Sequence, residues 1–238
     1  MTPTHIGPEP TVLRALLDRS KCLLLDFDGP ICRLFSGRPA ALVAAEMRQL
    51  IKGRTTLDHL APAQRSDPHL LLRAPMPDRL TAHLGAVLTN AEELAALSAA
   101  PTPGADDFIR AADAAGRLLA ITTNNAPSAV AVYLKEHGLD GYFGSRIFGR
   151  GDDPSLMKPH PDCLLRAVEA LGAAPQDCLM IGDSLPDAQA AVAAGIGFLG
   201  YARSEDRVAR LRAVDPHPVV IGMAGLVAAA RSLIPPNG

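Results

Sequence analysis

The sequence predicts an α/β fold: a parallel sheet with helices on both faces, interrupted after its first strand by a small all-helical insertion. Three observations predict it. The apolar run Leu23-Leu24-Leu25 passes directly into Asp26-Phe27-Asp28-Gly29-Pro30, which reads as a short buried strand closed by turn residues. Beyond the turn-rich stretch Pro101-Thr102-Pro103-Gly104, helix-period and strand-like segments alternate, the pattern of parallel strands joined by covering helices. Between these parts, from Pro39 to about Leu97, only helix-period patterns occur.

In order along the chain, Val12, Leu13, Leu16 and Leu17 form one face of a helix over 11–18 that leads into a strand over 22–26. The insertion holds helices over 40–51, a short piece over 69–73 after the start signal Ser66-Asp67-Pro68, and a long pattern over 78–97 with an interruption expected near Asn90. A helix over 105–115 is stopped by Gly116, and a strand over 117–122 follows. The helix over 126–137 has Pro127 in its first turn and Gly138 after its end, both expected end signals. Short strands are expected over 146–148, 178–181, 196–199 and 219–221, with helices over 162–171, 185–194, 206–214 and 223–233. The division expected is a core made of 1–32 and 101–238 and a helical unit made of 33–100.

A chain of 238 residues that is 48% hydrophobic can fill a sizeable core. With Lys+Arg 23 against Asp+Glu 25 and a net charge of −2, no global field draws nucleic acid or an anionic membrane. Cys22, Cys32, Cys163 and Cys178 show no C-x-x-C pairing and read as reduced core residues of a cytoplasmic protein. The first ten residues carry no basic segment followed by an apolar one, so no signal peptide is expected. The longest weakly polar runs fall short of the roughly 18 apolar residues of a membrane span.

Charge collects where strands end. Asp26 and Asp28 lie on one side of their strand, with Phe27 facing the other way. In open α/β sheets ligands bind just outside the carboxyl ends of the strands. Two neighbouring carboxylates raise each other's pKa unless a cation lies between them, so the pair asks for a hard metal, a basic residue, or both. Thr123-Asn124-Asn125 ends a later strand before a helix start, a position that suits an anion, although Thr and Asn are also ordinary N-caps. Lys158 sits among Pro159 and Pro161, where a rigid frame favours a positioned cation. Asp183 and Asp187 flank the start of the next helix. They read either as an N-cap with a first-turn acid or as the second half of a divalent-ion site that the neighbouring strand completes.

Taken together, the chain resembles the haloacid dehalogenase-like hydrolases, in particular the phosphatase branch with a helical cap inserted after the first strand. Four segments carry the resemblance in order: Asp26-Phe27-Asp28-Gly29, Thr123-Asn124, Lys158-Pro159 and Gly182-Asp183-Ser184-Leu185-Pro186-Asp187. It covers about two thirds of the chain. It implies a Rossmann-like core and a Mg²⁺-dependent phosphatase of small phosphorylated metabolites, working through an aspartyl-phosphate on Asp26. Asp28 would act as proton donor and later base, Thr123 would hold phosphoryl oxygens, and Lys158 would hold the charge of Asp26 and phosphate. Gly29 and Asn124 would assist substrate binding, and Mg²⁺ would rest on the Asp26 side chain, the Asp28 carbonyl and Asp183, with Asp187 supporting either the metal or the lysine.

One position departs from the family pattern: Pro30 stands where a Thr is usual, removing a hydroxyl and a backbone donor. Among cap side chains that could meet substrate (Arg33, Arg38, Arg54, His59, Arg65 and Arg73), Arg33 lies nearest in sequence to Asp28 and is expected at the mouth of the site. The expected partner is a small phosphate ester, with no nucleic acid and no membrane, and both a monomer and a homodimer are compatible with the sequence. Other readings keep the fold and change the chemistry, to a sugar phosphomutase, a phosphonate hydrolase or a dehalogenase. A non-catalytic binding protein is the alternative outside enzymes.

Overall fold

The structure is a computed structural model that describes residues 7–212 and 217–235. The expected helix end at 213–214 lies outside the described residues. In chain order the elements are α1 (Pro10–Arg19), β1 (Cys22–Leu25), β2 (Cys32–Arg33), α2 (Ala40–Ile51), α3 (Pro68–Leu72), α4 (Asp78–Ala96), β3 (Ala100–Pro101), α5 (Ala105–Ala114) and β4 (Leu118–Thr122). There follow α6 (Pro127–Glu136), α7 (Asp140–Phe143), β5 (Ile147–Phe148), α8 (Asp162–Leu171), β6 (Cys178–Gly182), α9 (Leu185–Ala193), β7 (Gly197–Ala202), α10 (Glu205–Arg212), β8 (Val219–Ile221) and α11 (Ala224–Arg231).

Among the described residues, six strands form a parallel sheet in the order β5-β4-β1-β6-β7-β8. The chain runs from β1 outward through β4 and β5, then returns to β6 on the other side of β1. That reversal makes the carboxyl end of β1 a topological switch point, where such sheets bind ligands. Period-two alternation divides the strand side chains between two cores. Leu23, Leu25, Leu119, Ile121, Leu179 and Ile181 pack with residues of α1, α5, α6 and α11. Cys22, Leu24, Ala120, Cys178 and Met180 pack against α8 and α9 on the opposite face. The α/β core with helices on both faces is therefore present as expected. Leu23, Leu24 and Leu25 are fully buried, and each contributes roughly 2 kcal/mol, which anchors β1 firmly enough to carry charge at its tip.

The inserted helices α2, α3 and α4 gather a cluster of their own around Val43, Met47, Leu71, Leu84 and Leu88. One residue from the far part of the chain, Met157, is buried within that cluster. The start of α3 follows from its sequence: Asp67 accepts hydrogen bonds from the amides of His69 and Leu70, and Pro68 needs no donor at the first helical position. α4 runs unbroken through Asn90, contrary to the interruption expected there, because a stripe of Leu80, Leu84, Leu88, Ala91 and Ala95 keeps one face buried throughout. The stretch Pro101-Thr102-Pro103-Gly104 was expected as linker only. Its first residue belongs to β3, which pairs antiparallel with β2 in the register Cys32 to Pro101 and Arg33 to Ala100, so the two chain crossings to and from the inserted helices run side by side. Among the described residues no helix is long and apolar enough to cross a membrane.

Candidate active site

Register explains why the polar strand ends meet. Leu25 stands opposite Ile121 on β4 and Ile181 on β6, and the Asp26 amide continues the ladder by donating to Ile181 O at 2.9 Å. Three neighbouring strands therefore end at one level, delivering Thr122-Thr123, Asp26 and Gly182-Asp183 to a common point. Carboxylate oxygens of Asp26, Asp183 and Asp187 lie within 4.8 Å of one another. Lys158 Nζ donates to Asp26 Oδ1 at 2.9 Å, to Asp187 Oδ1 at 2.5 Å and to the Thr122 carbonyl at 2.9 Å, with its side chain only 3% exposed.

The electrostatics of this cluster are unbalanced. Burial and the charge of Asp187 push Asp26 up to about 7 against the pull of Lys158. Burial, followed by the charges of Asp26, Asp187 and Asp28, pushes Asp183 up to about 8. Asp28 is raised by burial, with the Leu34 amide bonded to its Oδ1 at 3.0 Å acting in the opposite direction. Burial alone would lower Lys158, yet Asp187 and Asp26 carry it well above its usual value, so it remains a cation. Lys158, and Arg207 whose guanidinium lies 3.4 Å from Asp183 Oδ2, bring two positive charges against three clustered carboxylates and Asp28. An all-oxygen donor set with excess negative charge fits a hard divalent ion such as Mg²⁺.

Asp187 also closes the N-terminus of α9, accepting from the Ser184 amide at 3.0 Å and the Ser184 hydroxyl at 2.6 Å. A Cβ on Gly182 would come within 2.6 Å of Asp187 Cβ, so only glycine lets β6 pass this close. Gly29 has φ +130°, and a Cβ there would lie 2.5 Å from Asp183 Cγ. Gly29→Ala is accordingly expected to cost about 2 kcal/mol or more in unfolding free energy, with the Asp183 carboxylate displaced. Denaturant unfolding of the variant measures the cost.

Pro30 is accommodated. The turn takes its hydrogen bonds from its neighbours: Gly29 N to Cys32 O at 2.7 Å, Cys32 N to Phe27 O at 3.1 Å and Ile31 N to Phe27 O at 3.3 Å. The Gly29 carbonyl accepts from the buried Thr102 hydroxyl at 2.6 Å. None of these bonds requires a donor at position 30.

The aspartates, Lys158, Thr123 and Asn124 share the wall of a cavity of about 320 Å³, at the small end of ligand pockets. A larger cleft of about 710 Å³ beside Arg73 and His160 is lined by none of Asp26, Asp28, Asp183 and Asp187. Thr123 donates its hydroxyl to Asn125 Oδ1 at 3.0 Å. Asn124 is committed to the Lys158 backbone, with its Oδ1 accepting from Lys158 N at 2.7 Å and its Nδ2 donating to Lys158 O at 3.1 Å. It orients the lysine, a use that the sequence pattern did not suggest. Arg33 is exposed on β2 and is not part of this wall, because β2 pairs with β3 and turns its side chain outward. From the inserted helices the wall receives Asp67, His69, Leu70 and Arg73 instead. The Arg73 guanidinium donates to the carbonyls of Met157 and Lys158.

Glu92 of α4 was not anticipated at all. It is fully buried and accepts from Arg150 at 2.9 and 3.0 Å, the Asn125 amide at 3.1 Å and the Ala126 N–H at 2.9 Å, with His69 Nε2 3.0 Å away. The helix start that was expected to suit an external anion thus already has one. The signal was present in the sequence: Glu92 continues the Leu80, Leu84, Leu88 stripe at a spacing of four, and a charge on a buried stripe is rarely idle. Burial alone would raise Glu92, but the His69 hydrogen bond and the charges of Arg150 and His69 outweigh it and hold the group at about 2. Its folded pKa lies below its usual 4.5, so its contribution is complete above about pH 4.5 and lost as pH falls toward 2. The expected loss over that interval is roughly 3 kcal/mol. Glu92→Gln is expected to flatten this part of an acid unfolding curve.

Comparisons with known proteins give the chain's family. The family model described as haloacid dehalogenase-like hydrolase matches residues 20–195. Over 98 residues the chain is 43% identical to the phosphoglycolate phosphatase of Escherichia coli (strain K12), a stretch that takes in 41% of this chain and only 38% of that relative. The phosphoglycolate phosphatase of Xylella fastidiosa (strain 9a5c) is 30% identical over 196 residues, covering 78% of this chain and 83% of that protein. In fold, the chain is similar to a HAD family hydrolase from Deinococcus radiodurans R1 solved with bound phosphate and sodium. That likeness has a TM-score of 0.57 at 23% identity and covers 92% of this chain and 99% of that one. Since the family model spans well over half of the sequence, the chain belongs to the haloacid dehalogenase-like hydrolases.

Proposed function

We propose that the protein is a Mg²⁺-dependent phosphatase that hydrolyses a small phosphorylated metabolite of the phosphoglycolate type through an aspartyl-phosphate on Asp26. The observation that carries the reading is the convergence of Asp26, Asp183, Asp187 and Lys158 at the end of β1, beside Thr123 and Asp28. The named relatives support the substrate class.

Asp26, Asp183 and Asp187 would hold the metal ion, with Asp28 contributing its backbone carbonyl. When bound, the ion supplies positive charge to the phosphoryl oxygens and keeps the carboxylates ionised. Lys158, fixed from both sides by Asn124, holds Asp26 in place and faces the transferring group with a second positive charge. An Asp26 oxygen forms a bond to phosphorus while the ester oxygen leaves, taking a proton from Asp28, whose raised pKa suits the neutral acid. Asp28, now a carboxylate, then takes a proton from water as that water's oxygen attacks phosphorus. The Asp26–phosphorus bond breaks, and inorganic phosphate leaves. The unit of residues 33–100 acts as a cap, and His69 and Arg73 are the side chains it offers to the rest of the substrate.

A Mg²⁺-supplemented screen of phosphorylated metabolites, with Asp26→Asn and a chelator as controls, tests this reading. Release of phosphate that requires both Mg²⁺ and Asp26 supports it. Turnover that survives the chelator removes the metal from it. A product phosphorylated at a new position instead of free phosphate would make the enzyme a mutase.

A further inference from the structure

We propose that Glu92 is a positioning residue for the reaction, one buried carboxylate in the inserted helices that sets the geometry of both Thr123 and Lys158. The inference rests on the phosphatase reading above for the roles of those two groups. Two chains of contact lead from Glu92 to the site. Along the first, Glu92 Oε1 accepts from Asn125 Nδ2 at 3.1 Å. This fixes which end of the Asn125 amide faces the other way, and Asn125 Oδ1 then accepts a hydrogen bond from the Thr123 hydroxyl at 3.0 Å. Along the second, Arg150 pairs with both Glu92 oxygens and donates to the Asn124 carbonyl at 2.8 Å, and Asn124 in turn grips Lys158 at its amide and its carbonyl. The same carboxylate lies 3.0 Å from His69, which lines the cavity.

A role in packing alone is a poor account of this arrangement. Every other residue on the α4 stripe is apolar, and a leucine at position 92 would avoid the desolvation of a carboxylate and a guanidinium. Apolar contact, however, cannot choose between the two orientations of an amide or fix a hydroxyl proton. A hydrogen-bonded charge can, and a displacement of about 1 Å at a reacting group costs on the order of a hundredfold in rate.

The experiment is steady-state hydrolysis of p-nitrophenyl phosphate with Mg²⁺ by the wild type, Glu92→Gln and Asn125→Ala, run well below each protein's melting temperature. Expected in Glu92→Gln is a fall in kcat of about tenfold or more, with KM changed by less than about threefold. Asn125→Ala leaves Glu92 paired to Arg150 and His69, so it decides the matter if Glu92→Gln does not fold, and the same loss of kcat is expected. A lowered melting temperature with kcat unchanged overturns the proposal, as does a rise in KM alone. If the wild type hydrolyses no phosphate ester, the phosphatase reading falls instead. Amide exchange over residues 123–126 then judges this inference, and exchange unchanged in Glu92→Gln overturns it.

Discussion

Asp26→Asn is expected to lower phosphate release by about 10³-fold or more while leaving the protein as stable as the wild type or slightly more so. The activity loss follows because a carboxamide oxygen is a far weaker nucleophile than a carboxylate. The stability follows from the charges. Burial and Asp187 already press Asp26 toward its neutral form, up to about 7, so a neutral isostere relieves like-charge repulsion. Its amide oxygen can still accept from Lys158 Nζ, which sits 2.9 Å from Asp26 Oδ1 in the wild type. Phosphate release and thermal unfolding measured on one preparation give both results. Activity within tenfold of the wild type would take Asp26 out of the nucleophile's role.

Lys158→Met is expected to do the opposite to stability, lowering it by about 3–5 kcal/mol, the usual cost of leaving a buried partner charge unmatched. Lys158 serves Asp26, Asp187 and the Thr122 carbonyl at once, and methionine fills its volume without any of these bonds. Activity is expected to vanish as well, since the remaining carboxylates repel an incoming phosphate dianion. Added Mg²⁺ is expected to restore part of the lost stability and little of the activity, because it can return charge but cannot replace a donor aimed at Asp26. Denaturant unfolding with and without Mg²⁺ checks this. A cost below 1 kcal/mol in its absence would mean that the aspartates are already neutral in the wild type.

The parts of this protein that were legible in its sequence are those whose position follows from local rules. Asp26 and Asp183 stand at strand ends, and strand ends in a parallel sheet are level with one another, so their meeting follows once β1 and β6 are neighbours. Lys158 was marked by its prolines and Asp187 by its place in the first turn of α9. What was hidden depends on which face of one element docks on another. Arg33 is close to Asp28 in sequence, but it lies exposed on β2 and outside the cavity wall, while His69 arrives from more than forty residues downstream of Asp28; of the six cap side chains named from the sequence, Arg73 is the one that lines the wall. Asn124 carries the right chemistry for a substrate contact and spends it on the Lys158 backbone. Arg150 had no local signal, since a lone arginine between glycines reads as loop.

Met157 gives the architecture a further meaning. It is buried in the apolar cluster of the inserted helices, one peptide bond from the lysine. A redesign of those helices would therefore be felt beside Lys158, since Leu84 and Leu88 share one buried cluster with the lysine's neighbour. The insertion is not an interchangeable module. A transplanted one would have to bring its own residue 157, and variation at that position should track the packing of the helices more closely than the identity of the reaction.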